Sequence, residues 1–126
     1  MNRQIVATDA APKAIGPYSQ AVWAGDILFC SGQIPLDPAT GNMVTGGITE
    51  QVTRVLENIR GLLGSQGLDF GNVVRSTVFL SDMSNFGALN DVYAKYFTKN
   101  PPARSTVQVA RLPKDALVEI EVVATR

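Results

Sequence analysis

The amino-acid sequence predicts an α+β protein in which two helices cover one face of a β-sheet. Two segments, residues 48–63 and 86–97, repeat apolar side chains at helical spacing, and six shorter segments alternate in polarity or are rich in β-branched and aromatic residues. The chain has 126 residues and is 45% hydrophobic, which is enough for one core without disulfides or metal ions. We therefore expect residues 1–126 to form a single domain.

Three short strands are predicted before the first helix. Gly25 and Asp26 separate the second from the third as a two-residue turn of the hairpin type. The segment from Ile34 to Met43 is rich in proline, glycine and asparagine, which predicts a loop. The three predicted strands are Arg3–Thr8, Ser19–Ala24 and Ile27–Ser31.

The two helices are predicted from their apolar stripes. Gly64 and Gly67 are expected to end the first helix. The second helix has Asp82 or Ser84 as its expected N-cap and ends before the proline pair at 101–102. The first stripe consists of Ile48, Val52, Val55, Leu56, Ile59, Leu62 and Leu63. The second consists of Phe86, Leu89, Tyr93, Tyr96 and Phe97.

Three further strands complete the predicted element order β-β-β-α-β-α-β-β. One strand lies between the helices, and two follow the second helix. Because each helix has a single apolar stripe, both helices should lie side by side on the same face of the sheet. These strands are Val73–Ser81, Arg104–Ala110 and Ala116–Ala124.

The sheet face opposite the helices carries an unusual mixture of residues. In the last strand, large apolar groups share this face with two carboxylates, which fits neither a dry core nor open water. Charged residues make up only 17% of the chain, against roughly 25% in an ordinary domain. We therefore expect the uncovered face to form a subunit interface that encloses a small polar pocket. In the last strand this face carries Leu117, Glu119, Glu121 and Val123. From the strand before it we expect Arg104, Thr106, Gln108 and Ala110 on the same face.

The composition excludes several classes of function. The sequence contains no histidine, so Ser-His-Asp and Cys-His catalysis and zinc binding through histidine are excluded. Cys30 is the only cysteine, which excludes an intrachain disulfide and a cysteine metal cluster. Eleven Lys and Arg balance eleven Asp and Glu, so no net charge attracts nucleic acid or an anionic membrane. No apolar run approaches the roughly 18 residues of a membrane helix, and a reduced, cytoplasmic setting is expected.

Two charged residues are candidates for binding a small acid. Arg104 opens a strand directly after two prolines and an alanine, so a rigid backbone presents its fork of five donors, which suits a carboxylate. Glu119 lies in the middle of a strand between Val118 and Ile120. Each residue could instead form an ordinary salt bridge with a neighbour, and the residues alone leave that alternative open.

Four separated motifs carry a more specific signal than any single residue. They are Ile15-Gly16-Pro17-Tyr18-Ser19-Gln20-Ala21, Ser31-Gly32-Gln33-Ile34-Pro35, Pro102-Ala103-Arg104-Ser105 followed by Val107, and Val118-Glu119-Ile120. In this order and spacing they resemble the signature of the reactive intermediate deaminase family RidA, also called YjgF. The resemblance extends from about Thr8 to the C-terminus.

This resemblance implies a homotrimer with the chorismate-mutase-like fold of the bacillary type, in which three sheets form a central barrel-like core with the helices outside. Ligand sites in the family lie in the three clefts between subunits. Members of the deaminase branch hydrolyse 2-imino acids, such as 2-iminobutanoate and 2-iminopropanoate, and their enamine tautomers to 2-oxo acids and ammonia. They use no cofactor and no metal. The implied partners are small 2-imino and 2-oxo carboxylic acids, with no membrane and no nucleic acid.

The resemblance also implies roles for individual residues. Arg104 would anchor the carboxylate of the substrate, and Glu119 would orient the attacking water and serve in acid–base steps. Tyr18 would line the cleft, and Thr106 would offer main-chain polar groups to the bound acid. Many relatives of the deaminase branch carry cysteine at the position of Thr106, so the substrate preference stays open. The pocket would be shaped by Ser31, the Gly32 backbone and Asn90.

Two other functions remain open at this point. A non-catalytic or regulatory trimer that binds small acids would need Arg104 but not Glu119. An endoribonuclease acting on single-stranded RNA is an activity attributed to some relatives. The absence of histidine and of net positive charge argues against a conventional nuclease.

Overall fold

The structure, a computed structural model, describes residues 3–126 and contains one mixed six-stranded β-sheet with two α-helices. The predicted order β-β-β-α-β-α-β-β is confirmed, and each strand is one or two residues shorter than the predicted segment. The strands are β1 (Arg3–Val6), β2 (Ala21–Ala24), β3 (Ile27–Cys30), β4 (Val73–Leu80), β5 (Ala103–Gln108) and β6 (Val118–Thr125). The helices are α1 (Ile48–Gly64) and α2 (Phe86–Tyr96). Neither described helix is long and apolar enough to cross a membrane.

The strand order β1-β2-β3-β6-β4-β5 places the last strand of the chain inside the sheet. β6 pairs antiparallel with β3 on one side and with β4 on the other. β4 and β5 form the parallel pair, and α2 supplies the crossover that a parallel pair requires. β5 is therefore an edge strand that directly follows the helix crossing back over the sheet.

The core lies between the two helices and one face of the sheet. The apolar stripe of α1 is buried there, and α1 contacts both α2 and β6. The predicted arrangement of both helices on one sheet face is thereby confirmed. From β6 the core receives the alternate residues Val118, Ile120, Val122 and Ala124.

The helix ends differ in part from the prediction. α1 ends at Gly64 as expected, and Gly67, three residues later, adopts the left-handed φ of 73° that favours glycine. Before α2, Asp82 caps a separate 3-10 turn by accepting a hydrogen bond from the Ser84 backbone N–H at 2.9 Å. Ser84 is therefore not an N-cap, and α2 itself begins at Phe86 without a side-chain cap.

The predicted placement of Arg104 and Thr106 on the sheet face opposite the helices is wrong. Arg104 and Thr106 are paired in register with Ser76 and Val78, which are both 0% exposed beneath the helices. Paired residues of adjacent strands point to the same side of a sheet, so Arg104 and Thr106 lie on the helix-covered face. The sequence is misleading here because the side chains of α2 that lie over this edge strand are polar and aromatic. Such side chains can pack against polar residues of a strand, so a polar strand face need not point away from the helices.

No α-helix of residues 3–126 covers the other sheet face, which we call the open face. An apolar row crosses it, because Ile5, Val22, Phe29 and Val123 are neighbours on four adjacent strands. Ile5 is 54% exposed and Phe29 is 49% exposed. Contiguous apolar surface of this kind marks a contact site, and Glu119 and Glu121 lie on the same face.

Candidate functional site

Ser31 and Gly32 form a β-bulge at the end of β3, directly beside Glu119 of β6. Two residue pairs flank the bulge. Between them the β3 side runs from residue 29 to residue 33, which is four steps, whereas the β6 side runs from residue 123 to residue 120, which is three. Such a bulge bends a strand and changes the direction of its side chains. A Cβ at position 32 would overlap a carboxylate oxygen of Glu119, so this side chain lies directly against the glycine backbone. The flanking pairs are Phe29–Val123 and Gln33–Ile120.

The Glu119 carboxylate is half-buried on the open face. Burial raises the pKa of this carboxyl, and the negative charge of Glu121 raises it further. Among residues 3–126, Glu119 takes part in no ion pair, so the salt-bridge alternative is not realised within the chain. A desolvated carboxylate without a cation is suited to accept a proton or to hold a water molecule.

Tyr18 lies beside the same bulge, on the loop that precedes β2. Its side chain is 49% exposed, and its hydroxyl accepts a hydrogen bond from the backbone N–H three residues earlier at 3.3 Å. Tyr18 and Gly32 line one small depression. Ser31 ties this loop to the bulge, because its Oγ donates to the carbonyl of Ser19 at 2.6 Å. We call Tyr18, Ser31, Gly32 and Glu119 the Glu119 half-site.

Arg104 is the second residue of β5 and points toward α2. Its Nη2 donates a hydrogen bond to Oδ1 of Asn90 at 2.9 Å. Its Cζ lies 4.7 Å from the ring centroid of Tyr93 and 5.6 Å from that of Phe86. None of the ion pairs within residues 3–126 involves Arg104, so its charge is not neutralised and its other N–H groups can receive a carboxylate. These four residues, together with Thr106, form what we call the Arg104 half-site.

Thr106 follows Arg104 on the same face of β5. Its Oγ1 is buried and has no hydrogen-bond partner in the described chain. β5 is an edge strand, so one side of its backbone presents main-chain groups that the sheet does not pair. Both features are compatible with a polar ligand beside this residue.

The structure divides the predicted site residues into two groups. The Glu119 half-site lies at the bulge, with the carboxylate on the open face, whereas Arg104 lies under α2 on the helix-covered face. Since the sheet separates them, one copy of the chain does not bring Arg104 and Glu119 to the same small ligand.

Sequence reasoning missed the contribution of the aromatic residues beneath Arg104. Phe86 and Tyr93 were expected only as core residues of the second helix. A signal was present, because Asn90 lies four residues after Phe86 and three before Tyr93, which places all three side chains on one helix face. An amide between two aromatic residues on one helix face points to a polar partner there.

The fold and the half-sites define a small α+β protein in which Arg104 and the half-buried Glu119 both lack an ion-pair partner among residues 3–126. Among the described residues, no cluster of three or more His, Cys, Asp and Glu could hold a metal ion. The chain belongs to the Endoribonuclease L-PSP family, whose sequence profile matches residues 8–126. The resemblance to RidA is confirmed by the crystal structure of RidA from the Antarctic bacterium Psychrobacter sp. PAMC 21119. That structure is 41% identical with a TM-score of 0.94, covering 98% of this chain and 99% of that one.

Two further relatives carry names that bear on chemistry. The 2-iminobutanoate/2-iminopropanoate deaminase of Capra hircus is 49% identical over 124 residues, which cover 98% of this chain and 90% of the relative. The crystal structure of E. coli TdcF with bound serine has a TM-score of 0.93 and 43% identity, covering 98% of each chain. The family thus includes a protein named as an imine deaminase and a protein that binds a small amino acid.

Proposed function

We propose that the protein hydrolyses small 2-imino acids and their enamine tautomers, such as 2-iminobutanoate and 2-iminopropanoate, to 2-oxo acids and ammonia. One observation carries this proposal: Arg104 and Glu119 each lack a counter-ion within residues 3–126. A ligand with a carboxylate at one end and an electrophilic C=N bond next to it suits both groups. The names of the Capra hircus relative and of serine-bound TdcF agree with a ligand of this size and charge.

In the proposed reaction, Arg104 holds the substrate carboxylate and Glu119 holds the attacking water. Water adds to the imine carbon, so that a C–O bond forms while the imine nitrogen takes up a proton. Glu119 accepts a proton from the water and passes it to the nitrogen, which gives a carbinolamine. Glu119 then moves the proton of the new hydroxyl to the nitrogen, and the C–N bond breaks as the C=O bond forms, which releases ammonia and the 2-oxo acid. An enamine first takes up a proton at carbon and loses one from nitrogen, which gives the imine. Water is the only co-reactant, and the reaction takes no cofactor.

The remaining site residues have supporting roles in this proposal. Tyr18 lines the cleft beside the water, and the Gly32 backbone allows Glu119 to approach closely. Asn90 holds one end of the Arg104 guanidinium. Ser31 fixes the loop that carries Tyr18, and main-chain groups beside Thr106 contact the bound acid.

We further propose a homotrimer, in which the Arg104 half-site of one subunit faces the Glu119 half-site of the next. Two different surfaces that meet in this way form a heterologous contact, which closes into a ring rather than a two-fold dimer. The apolar row on the open face supports this arrangement, because Ile5 and Phe29 would be covered. The three open faces would then form the central barrel-like core, with the helices outside.

Ribonuclease activity is the competing function that the family description suggests. Binding of RNA generally requires clustered cations that follow the phosphate backbone. The two half-sites hold only Arg104, with Lys13 at the rim of the Tyr18 depression. Two separate cations do not make such a track, and the proposal of a small-acid site is favoured.

A coupled assay tests the proposed function. A threonine dehydratase is held at a fixed amount, and release of the 2-oxo acid is followed with and without this protein. We expect the protein to accelerate release in proportion to its concentration, and the Arg104→Ala variant to give no acceleration. Oxo-acid release that does not change with added wild-type protein would exclude the deaminase and leave a binding module.

A further inference from the structure

Tyr93 connects Arg104 to the interior of the protein. Its hydroxyl shares a buried hydrogen bond of 2.6 Å with Ser76 Oγ, and Ser76 is 0% exposed. Ser76 is the residue on β4 that is paired in register with Arg104 on β5. The ring also stacks on Phe97, with centroids 4.4 Å apart. Tyr93 is therefore fixed at its hydroxyl and along its ring.

The same ring lies beneath the Arg104 guanidinium, with the Arg104 Cζ 4.7 Å from its centroid. Burial raises the pKa of Tyr93, so the phenol stays neutral although Ser76 and Arg104 act in the opposite direction. A neutral ring attracts the cation through its face but does not neutralise it, as a carboxylate would. The Asn90 amide holds one guanidinium nitrogen, and the ring restricts the plane in which the others lie.

We propose that Tyr93, held by Ser76, is a positioning residue that fixes the direction of the Arg104 fork for carboxylate binding. This inference rests on the proposed function, in which Arg104 anchors the substrate carboxylate. An arginine side chain has several rotatable bonds, and bidentate binding requires both donors to be aligned before the ligand arrives. Tyr93 supplies that alignment without contacting the ligand.

A double-mutant cycle between Tyr93 and Arg104 distinguishes positioning from a general structural role. The readout is the calorimetric Kd of 2-oxobutanoate, a product-like acid, for the assembled protein. The variants are Tyr93→Leu and Arg104→Lys, alone and combined. Tyr96→Leu is the matched control, because Tyr96 also lies on α2 and hydrogen-bonds through its hydroxyl, but to Glu57.

We expect Tyr93→Leu to weaken binding about tenfold when Arg104 is present, which corresponds to about 1.4 kcal/mol. With Arg104→Lys in place we expect a further loss below about threefold, because an ammonium has no fork to align. Tyr96→Leu should change Kd less than about twofold in both backgrounds, within the scatter expected for a distant site. Equal weakening by Tyr93→Leu in both backgrounds, or none, overturns the positioning role.

A gentler pair of variants covers the case in which Tyr93→Leu does not fold. Tyr93→Phe keeps the ring and loses the bond to Ser76, and it should weaken binding about threefold, as expected for one hydrogen bond. Tyr96→Phe should leave Kd unchanged, and an unchanged Kd for Tyr93→Phe as well overturns the inference.

If Arg104→Lys binds 2-oxobutanoate as well as the wild type, the anchor itself is wrong, and the proposed function fails together with this inference. If Arg104→Lys weakens binding of 2-oxobutanoate but the Tyr93 variants do not, only the positioning role of Tyr93 is overturned and the proposed function stands.

Discussion

The proposed carboxylate binding depends on Arg104, and a second arginine of this chain provides its control. Arg60 also lies over two aromatic rings, those of Phe70 and Tyr96, but it pairs with Glu57 at 3.3 Å. We expect Arg104→Ala to abolish imine hydrolysis, since losing one partner of a desolvated pair costs on the order of 3–5 kcal/mol. Arg104→Lys should restore part of the rate, and Arg60→Ala should leave it unchanged. Initial rates of oxo-acid release measure this, and full activity of Arg104→Ala would place the anchor elsewhere.

Glu119 distinguishes an enzyme from a binding module. Glu119→Gln keeps the shape of the side chain but removes its basicity, so turnover should fall by roughly 100-fold or more if general-base catalysis is typical. Binding of 2-oxobutanoate through Arg104 should be retained. The measurement pairs calorimetry with turnover in one preparation, and Glu121→Gln on the same strand is the matched control. Wild-type turnover in Glu119→Gln would remove Glu119 from the mechanism.

The pH dependence follows from the surroundings of Glu119. Burial and the Glu121 charge raise the pKa of its carboxyl, and the ionised form is the one that accepts a proton. Turnover should therefore rise with pH, with an acid limb above the ordinary glutamate pKa of about 4.3. Glu121→Gln removes a repelling charge, which lowers the pKa of Glu119 and should move this limb to lower pH. A pH–rate profile measures both, and a limb that does not respond to Glu121→Gln would contradict the assignment.

At the scale of elements, the bulge between β3 and β6 makes the close contact of Gly32 and Glu119. Gly32→Ala should force the Glu119 carboxylate away and lower turnover more than it lowers thermal stability, because a Cβ there meets a side chain rather than backbone. Gly64→Ala is the matched control, since a Cβ at Gly64 meets nothing within 4 Å. Turnover is compared with melting temperature for both variants. Unchanged turnover in Gly32→Ala would mean that this contact does not position Glu119.

The elements also show which features of the fold a sequence can predict. The stripe of α1 and the alternation of β6 follow from periodic burial of apolar groups, and both were predicted. The sheet face to which Arg104 points could not be predicted, because the residue pattern of β5 alone does not reveal that a short helix lies over this edge strand. The bulge at Ser31 was also not predictable, since it depends on the register between β3 and β6. Local periodicity predicts where helices and strands lie. The sheet face to which a side chain points and the position of a bulge depend instead on pairing between strands that are distant in sequence.

At the scale of the whole molecule, the open face predicts assembly. Phe29 lies in the centre of an apolar row and is 49% exposed in the single chain. We expect sedimentation to give three times the chain mass of 13.5 kDa, and Phe29→Asp to dissociate the assembly and abolish turnover together. A wild-type protein that stays monomeric across a micromolar range would contradict the trimer and the shared clefts.

In the proposed trimer each site combines Arg104 of one subunit with Glu119 of the next, and mixing of variant subunits tests this arrangement. Arg104→Ala and Glu119→Gln chains are each expected to be inactive, and the two are co-expressed with different tags so that mixed trimers can be isolated. Every isolated mixed trimer, whatever its ratio of the two chains, has one cleft of three that contains both native residues, so about a third of the wild-type turnover should return. If isolated mixed trimers stay as inactive as the two parent variants, Arg104 and Glu119 act from the same chain or not together, and a cleft shared between subunits is excluded.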